Sequence, residues 1–309
     1  MMPIRPLKLK SSYSVGYSPS GENVFTLSRD ISLWDIASRK KSWRTHPFPH
    51  PSYATFSPNG DLIGVKSSSG QIVILATKTG QTIQDFKNAQ EGEGSNLLFS
   101  TCGRFIVDGS WEGFLTVRDA FSGIVRYRKE NKGVMVSRVH AARDASLWVV
   151  QYSPRATTHD RSPLGDYFTV QAASVPDGAS TPLGIRLPFI TASAVSNDGS
   201  RLAVLFGASP KTLQVYELPS EKLLWQDCVT IGGSGWALCW SGAAAYLASV
   251  QKDCVVHYSG ETGKRLMEFP LQFPSDVDYS PDGQTIALGS WQSGEIVPLS
   301  NPIIGEPSS

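Results

Sequence analysis

Apolar and polar residues alternate in short runs along nearly the whole chain, and Gly, Pro, Asn, Asp and Ser separate the runs. The clearest unit begins at residues 56–60, FSPNG, continues through the alternating DLIGV at 61–65, and reaches GQIVIL at 70–75. A period of two is the mark of a half-buried strand, so the unit reads as a strand, a tight turn, a second strand, another turn and a third strand. Pro58 presets its own φ, and Gly60 accepts the positive φ that a hairpin corner often needs.

The unit recurs. Aligned on the serine of FSPNG, the anchors are Ser18 (YSPSG), Ser57, Ser100 (FSTCG), Ser196 (VSNDG), Ser241 (WSGAA) and Ser280 (YSPDG), with Ala141 of HAARD in the same place. The steps between anchors are 39, 43, 41, 55, 45 and 39 residues. A period near forty is the signature of a repeat architecture. Six residues beyond the anchors stand Val24, Ile63, Ile106, Leu147, Leu202, Leu247 and Ile286, all aliphatic. That position is predicted to face the core. Third strands follow at Ile31 and Leu33, Ile72 and Ile74, Leu115 and Val117, Phe168 and Val170, and Leu213 and Val215. More polar fourth strands follow them, such as GQTIQDF at 80–86 and KRLMEF at 264–269.

Four strands per repeat, the SPxG turns at Ser18, Ser57 and Ser280, the LWD of Leu33, Trp34 and Asp35, and the TG pairs Thr79–Gly80 and Thr262–Gly263 resemble the WD-repeat β-propellers over essentially the whole chain. The Trp-Asp signature is lost at Leu75 and Ala76, Arg118 and Asp119, Tyr216 and Glu217, and Tyr258 and Ser259. His46 and His50 are the candidates for the structural histidine of that family. The resemblance implies an all-β, seven-bladed propeller of four-stranded antiparallel blades. Residues 1–300 are expected to form one domain, and residues 301–309 a tail. The last repeat ends early, after EIVPL at 295–299, and residues 4–10, IRPLKLK, are expected to supply its outer strand and close the ring.

Composition narrows the function classes. With 309 residues, 40% hydrophobic and 18% charged, the chain can bury a large core, and 28 Gly with 20 Pro suit many turns. A formal net charge of +1 gives no field that would steer it to nucleic acid or to an anionic membrane. The short basic runs at 39–41 and 126–129 fall near fourth strands, at the solvated rim. Cys102, Cys228, Cys239 and Cys254 stand singly and read as mostly buried thiols in a reducing compartment. No window reaches the apolar length of a membrane span, and the cytoplasm is the expected location.

One step is too long. The excess between Ala141 and Ser196 falls at residues 153–165, SPRATTHDRSPLG, between a second and a third strand. The resemblance puts that loop on the top face, over the channel mouth. Arg155, His159, Asp160 and Arg161 are its candidate partner-binding residues, with Arg offering a fork to an acidic or phosphorylated group. The alternative is a solvated insertion. Two equivalent loops carry GSW, with Trp111 and Trp291 as contact surfaces or as packing between blades. Phe48, Tyr53, Phe269 and Phe273 invite the same two readings.

No HExxH, Cys/His metal spacing, GxSxG elbow or Walker loop is present, and no cofactor or metal is expected. The chain is therefore expected to be a non-catalytic scaffold that binds a protein or peptide on its top face, as a monomer or within a larger complex. Nucleic-acid and membrane partners are not expected. The alternative is a hydrolase or metal-dependent propeller enzyme with its site at the central channel.

Overall fold

The computed structural model describes residues 6–86, 96–141, 147–154, 168–174, 180–232 and 237–299, with backbone alone at 147–151, 168–174 and 180–182. Seven antiparallel sheets of four strands succeed one another, six of them in simple sequence order. The innermost strands are Ser14–Tyr17, Pro51–Phe56, Leu97–Phe99, Val134–Ala141, Ala192–Val195, Leu238–Trp240 and Pro274–Tyr279, which define blades 1 to 7.

The anchor turn explains the regularity. In each of the six serine repeats the buried Oγ accepts the N–H five residues on, at 2.9 to 3.1 Å, and so starts the second strand. The serine carbonyl accepts the N–H three residues on, from Gly21, Gly60, Gly103, Gly199, Ala244 or Gly283, and all six sit at positive φ. The aliphatic position beyond the anchor is fully buried at Val24, Ile63, Ile106, Leu202, Leu247 and Ile286. The Leu147 side chain lies outside the described residues.

Packing closes the ring. Among the described residues the buried apolar side chains form seven clusters, and each spans one pair of neighbouring blades. Phe25, Leu27 and Leu33 meet Ile63 and Val73 between blades 1 and 2. The corresponding cluster between blades 7 and 1 joins Ala287 and Ile296 to Val15, Tyr17 and Trp34. Leu7 and Leu9 belong to that last cluster. The strand Leu7–Lys8 is the outer strand of the seventh sheet, with Leu7 opposite Ile296 and Lys8 opposite Glu295. The N-terminal segment thus occupies the place expected of it, over a shorter span than residues 4–10; residues 4 and 5 lie outside the described residues. This is a seven-bladed β-propeller.

Two sequence readings need correction. None of the four cysteines is fully buried: Cys102 and Cys228 are exposed and Cys239 and Cys254 half-buried, because only Cys239 falls on an inner strand and it faces the channel. All four are free thiols. His46 bonds the carbonyl of Arg29 and the carboxylate of Asp30, while His50 is an exposed residue at φ 53°, so neither builds the family's buried histidine network. Trp34 instead donates its indole N–H to Thr26 Oγ1 at 3.1 Å. The basic runs do lie on outer strands, Lys40–Thr45 and Val125–Glu130. Among the described residues no helix is long and apolar enough to cross a membrane.

Candidate functional site

Because the strands of each sheet are antiparallel and run inner to outer, the described second-to-third-strand loops and interblade connections emerge at one end, the top. The anchor turns lie at the other. The channel between the inner strands therefore has two chemically different mouths.

The lower mouth, about 670 Å³, is rimmed by the anchors and their prolines, including Ser18, Pro58 and Pro281. His140, Cys239 and Asp278 supply its polar wall. Asp278 Oδ2 accepts the Tyr17 N–H at 2.7 Å, and its Oδ1 accepts the Cys239 thiol at 3.3 Å. Earlier on the same strand, Asp276 accepts the Ser14 hydroxyl at 2.7 Å and the Val15 N–H at 3.1 Å. These two carboxylates fasten blade 7 to blade 1. Burial pushes Asp278 up to about 7, drives the Cys239 thiol well above its ordinary range, and raises Asp276.

His140 Nε2 lies 2.8 Å from Ser193 Oγ, a spacing that a base and a nucleophile share. Burial, helped by the charge of Arg138, holds His140 down at about 3, so the imidazole is neutral. Ser193 is buried and lines neither mouth, so the pair joins blade 4 to blade 5. His257 and Tyr279 make a comparable bond of 2.7 Å between blades 6 and 7. Among the described residues, no three His, Cys, Asp or Glu side chains converge as a metal site.

The upper mouth, about 590 Å³, has the opposite character. Arg138 and Lys211 line it, with Tyr53, Trp111 and Phe189 beside them. No Asp or Glu is among the described residues that line it. Arg138 reaches it through a β-bulge at Ser137, where the inner strand of blade 4 sets two residues against one. The guanidinium stands 5.4 Å from the centre of the Tyr53 ring. Lys211 donates to the Gly207 carbonyl at 2.7 Å, and burial lowers its ammonium below the ordinary range.

Exposed aromatic side chains stand at this end of the propeller, two of them, Trp111 and Phe189, on the cavity wall. Trp111 is 42% exposed and Trp291 51%, the latter stacked on Tyr13 with ring centres 4.8 Å apart. Phe189 and Phe273, 66% and 52% exposed, precede the inner strands of blades 5 and 7 at φ values of 53° and 50°. His50 holds the same place before blade 2, seven residues ahead of its anchor serine, also at positive φ. The connection thus holds its residue in the left-handed region, which glycine adopts without strain, whereas phenylalanine there is strained. Phe48 and Phe269, by contrast, pack into interblade clusters.

Of the residues singled out in the sequence, Trp111 and Trp291 are therefore placed on the top face. Arg155, His159, Asp160 and Arg161 lie outside the described residues; the strands flanking their loop are Leu147–Pro154 and Phe168–Ser174. Sequence reasoning does not single out Arg138, Lys211 or Phe189. Strand pairing sets Arg138 directly after the bulge, in the place of Tyr53 in blade 2 and Asp276 in blade 7, so no repeated sequence column marks it.

A chain of Kuenenia stuttgartiensis hydrazine synthase shares this architecture, with a TM-score of 0.77 over 95% of the present chain and 97% of that one, at 13% sequence identity. No family model and no curated protein matches the sequence. The expectation of a non-catalytic chain is corrected by this likeness. It rested on missing local motifs, whereas a propeller of the same build is part of an enzyme, so the architecture gives no ground for excluding catalysis. At so low an identity the likeness speaks for the fold alone: the chain is a seven-bladed β-propeller.

Proposed function

We propose that this propeller is a recognition platform that binds a protein or peptide on its top face, as a monomer or as one subunit of a larger assembly. One observation carries the reading. Trp111, Phe189, Phe273 and Trp291 expose large apolar surfaces at the same end of the propeller, and two of them hold a backbone conformation that glycine would adopt more cheaply. Binding energy concentrates in such aromatic anchors, and strain of about 1–3 kcal/mol at an exposed site is kept where the side chain is used. Arg155, His159, Asp160 and Arg161, which fall in sequence between the second and third strands of blade 4, are proposed to take part in the same binding. Repeats of the WD kind, with degenerate signatures, and a cytoplasmic setting suited to four free thiols complete the proposal.

The test is affinity capture from the native host with wild type and with Phe189→Gly plus Phe273→Gly. Glycine relieves the backbone strain, so the variant should melt no lower than wild type yet lose the partner. Equal capture by both chains contradicts the proposal. Replacement of Arg155 and Arg161 together should weaken capture without altering stability if the blade 4 loop takes part.

A further inference from the structure

We infer that the upper mouth is an oxyanion subsite that seats the carboxylate of an acidic peptide between Arg138 and Lys211. This rests on the top-face reading and adds the chemistry of what is bound there.

Three observations converge on it. Arg138 and Lys211 are the charged residues lining the cavity, and no acid among the described lining residues answers them. Half-burying a guanidinium at the cavity wall is unfavourable unless an anion meets it. Asp276, the carboxylate that feels the charge of Arg138, does not line the cavity and is already engaged by Ser14, Val15 and Val277. The bulge at Ser137 and the Tyr53 ring then set where the guanidinium lies. Lys211 spends one of its three donors on Gly207, and two are left for a ligand.

The cavity falls in the ordinary range of ligand sites, roughly 300–1,000 Å³. A planar carboxylate matches the fork of arginine, and the lysine adds a point charge. Trp111 and Phe189, on the same wall, supply apolar ground for the residue next to the acid. The occupant is thus an acidic peptide in which Asp or Glu neighbours an apolar side chain.

Random peptides displayed on phage and selected on the purified full chain test this, with the best binder titrated by fluorescence anisotropy. Enriched sequences should place Asp or Glu beside an aromatic or aliphatic residue. Arg138→Gln with Lys211→Gln should weaken the best binder about tenfold or more, and Arg138→Lys alone by less. The surface variant Lys211→Gln alone, with rising salt, should also weaken it, which keeps the test open if the double variant folds poorly. Binders without acidic residues, or binding lost in Trp111→Ala but unchanged in Arg138→Gln with Lys211→Gln, would overturn the subsite and leave the platform standing. Binding restricted to phosphorylated peptides would overturn the carboxylate assignment. Selection of no peptide for this face would count against both.

Discussion

Asp278 shows how a single side chain can tie stability to pH. Burial against the inner strands of blades 6 and 1 lifts its carboxyl to about 7, while an unfolded aspartate titrates near the ordinary value of about 3.9. Between those values the folded chain holds a proton that the unfolded chain has released. Its contribution to stability therefore falls as pH rises from about 4 to about 7 and is level above that. An asparagine in its place keeps an oxygen to accept the Tyr17 N–H and does not titrate. Asp278→Asn should accordingly gain on wild type across that window, by a few kcal/mol at most above pH 7. His140 and His257, held neutral by burial at about 3 and about 4, act in the opposite sense, losing stability as pH falls below about 6.5. They act equally in both chains, so the difference in melting temperature isolates Asp278. Parallel melting curves from pH 4 to 8 would contradict this account. Residues like this are hidden in the sequence, since an aspartate in DVDY carries no mark of what stands opposite it. Lys66 is a sharper case: it reads as a turn-side lysine before SSSG, yet it is 1% exposed and donates to Asp108 and to the Gly109 carbonyl in the next blade.

At the level of strands and turns the chain is far more legible, because the physics there is local and repeated. In six of the seven blades, a serine that starts the second strand, a positive-φ residue three places on and an aliphatic six places on can be read from spacing alone. Interblade connections are not so legible. Leu187 to Ile190 and Leu271 to Pro274 look like ordinary loop aromatics until the backbone shows Phe189 and Phe273 in the left-handed region. The N-terminal strand lies between these extremes, visible as alternation but two residues long once paired. Its value lies in Leu7 and Leu9, which fill the seam between blades 7 and 1. Each buried leucine contributes roughly 1.5–3 kcal/mol. Deletion of residues 4–10 should therefore lower the melting temperature by several degrees or abolish soluble expression. A deleted chain that melts like wild type would show that the seam holds without them.

On the scale of the whole molecule, a ring of near-identical blades leaves function to its departures from repetition. The anchors make the lower end nearly uniform, whereas the upper end collects, among the described residues, a half-buried arginine, two strained phenylalanines and two exposed tryptophans. Seven apolar seams hold the frame, so side chains at the upper mouth can change without loss of the fold. Hydrogen exchange of the chain alone and saturated with its captured partner measures the central claim most directly. Binding should slow exchange in the top connections, at Phe189 to Thr191, Ser110 to Trp111 and Trp291 to Gln292, and leave the anchor turns at Ser57 to Gly60 and Ser280 to Gly283 unchanged. Protection confined to the anchor turns or the outer strands would contradict a top-face platform.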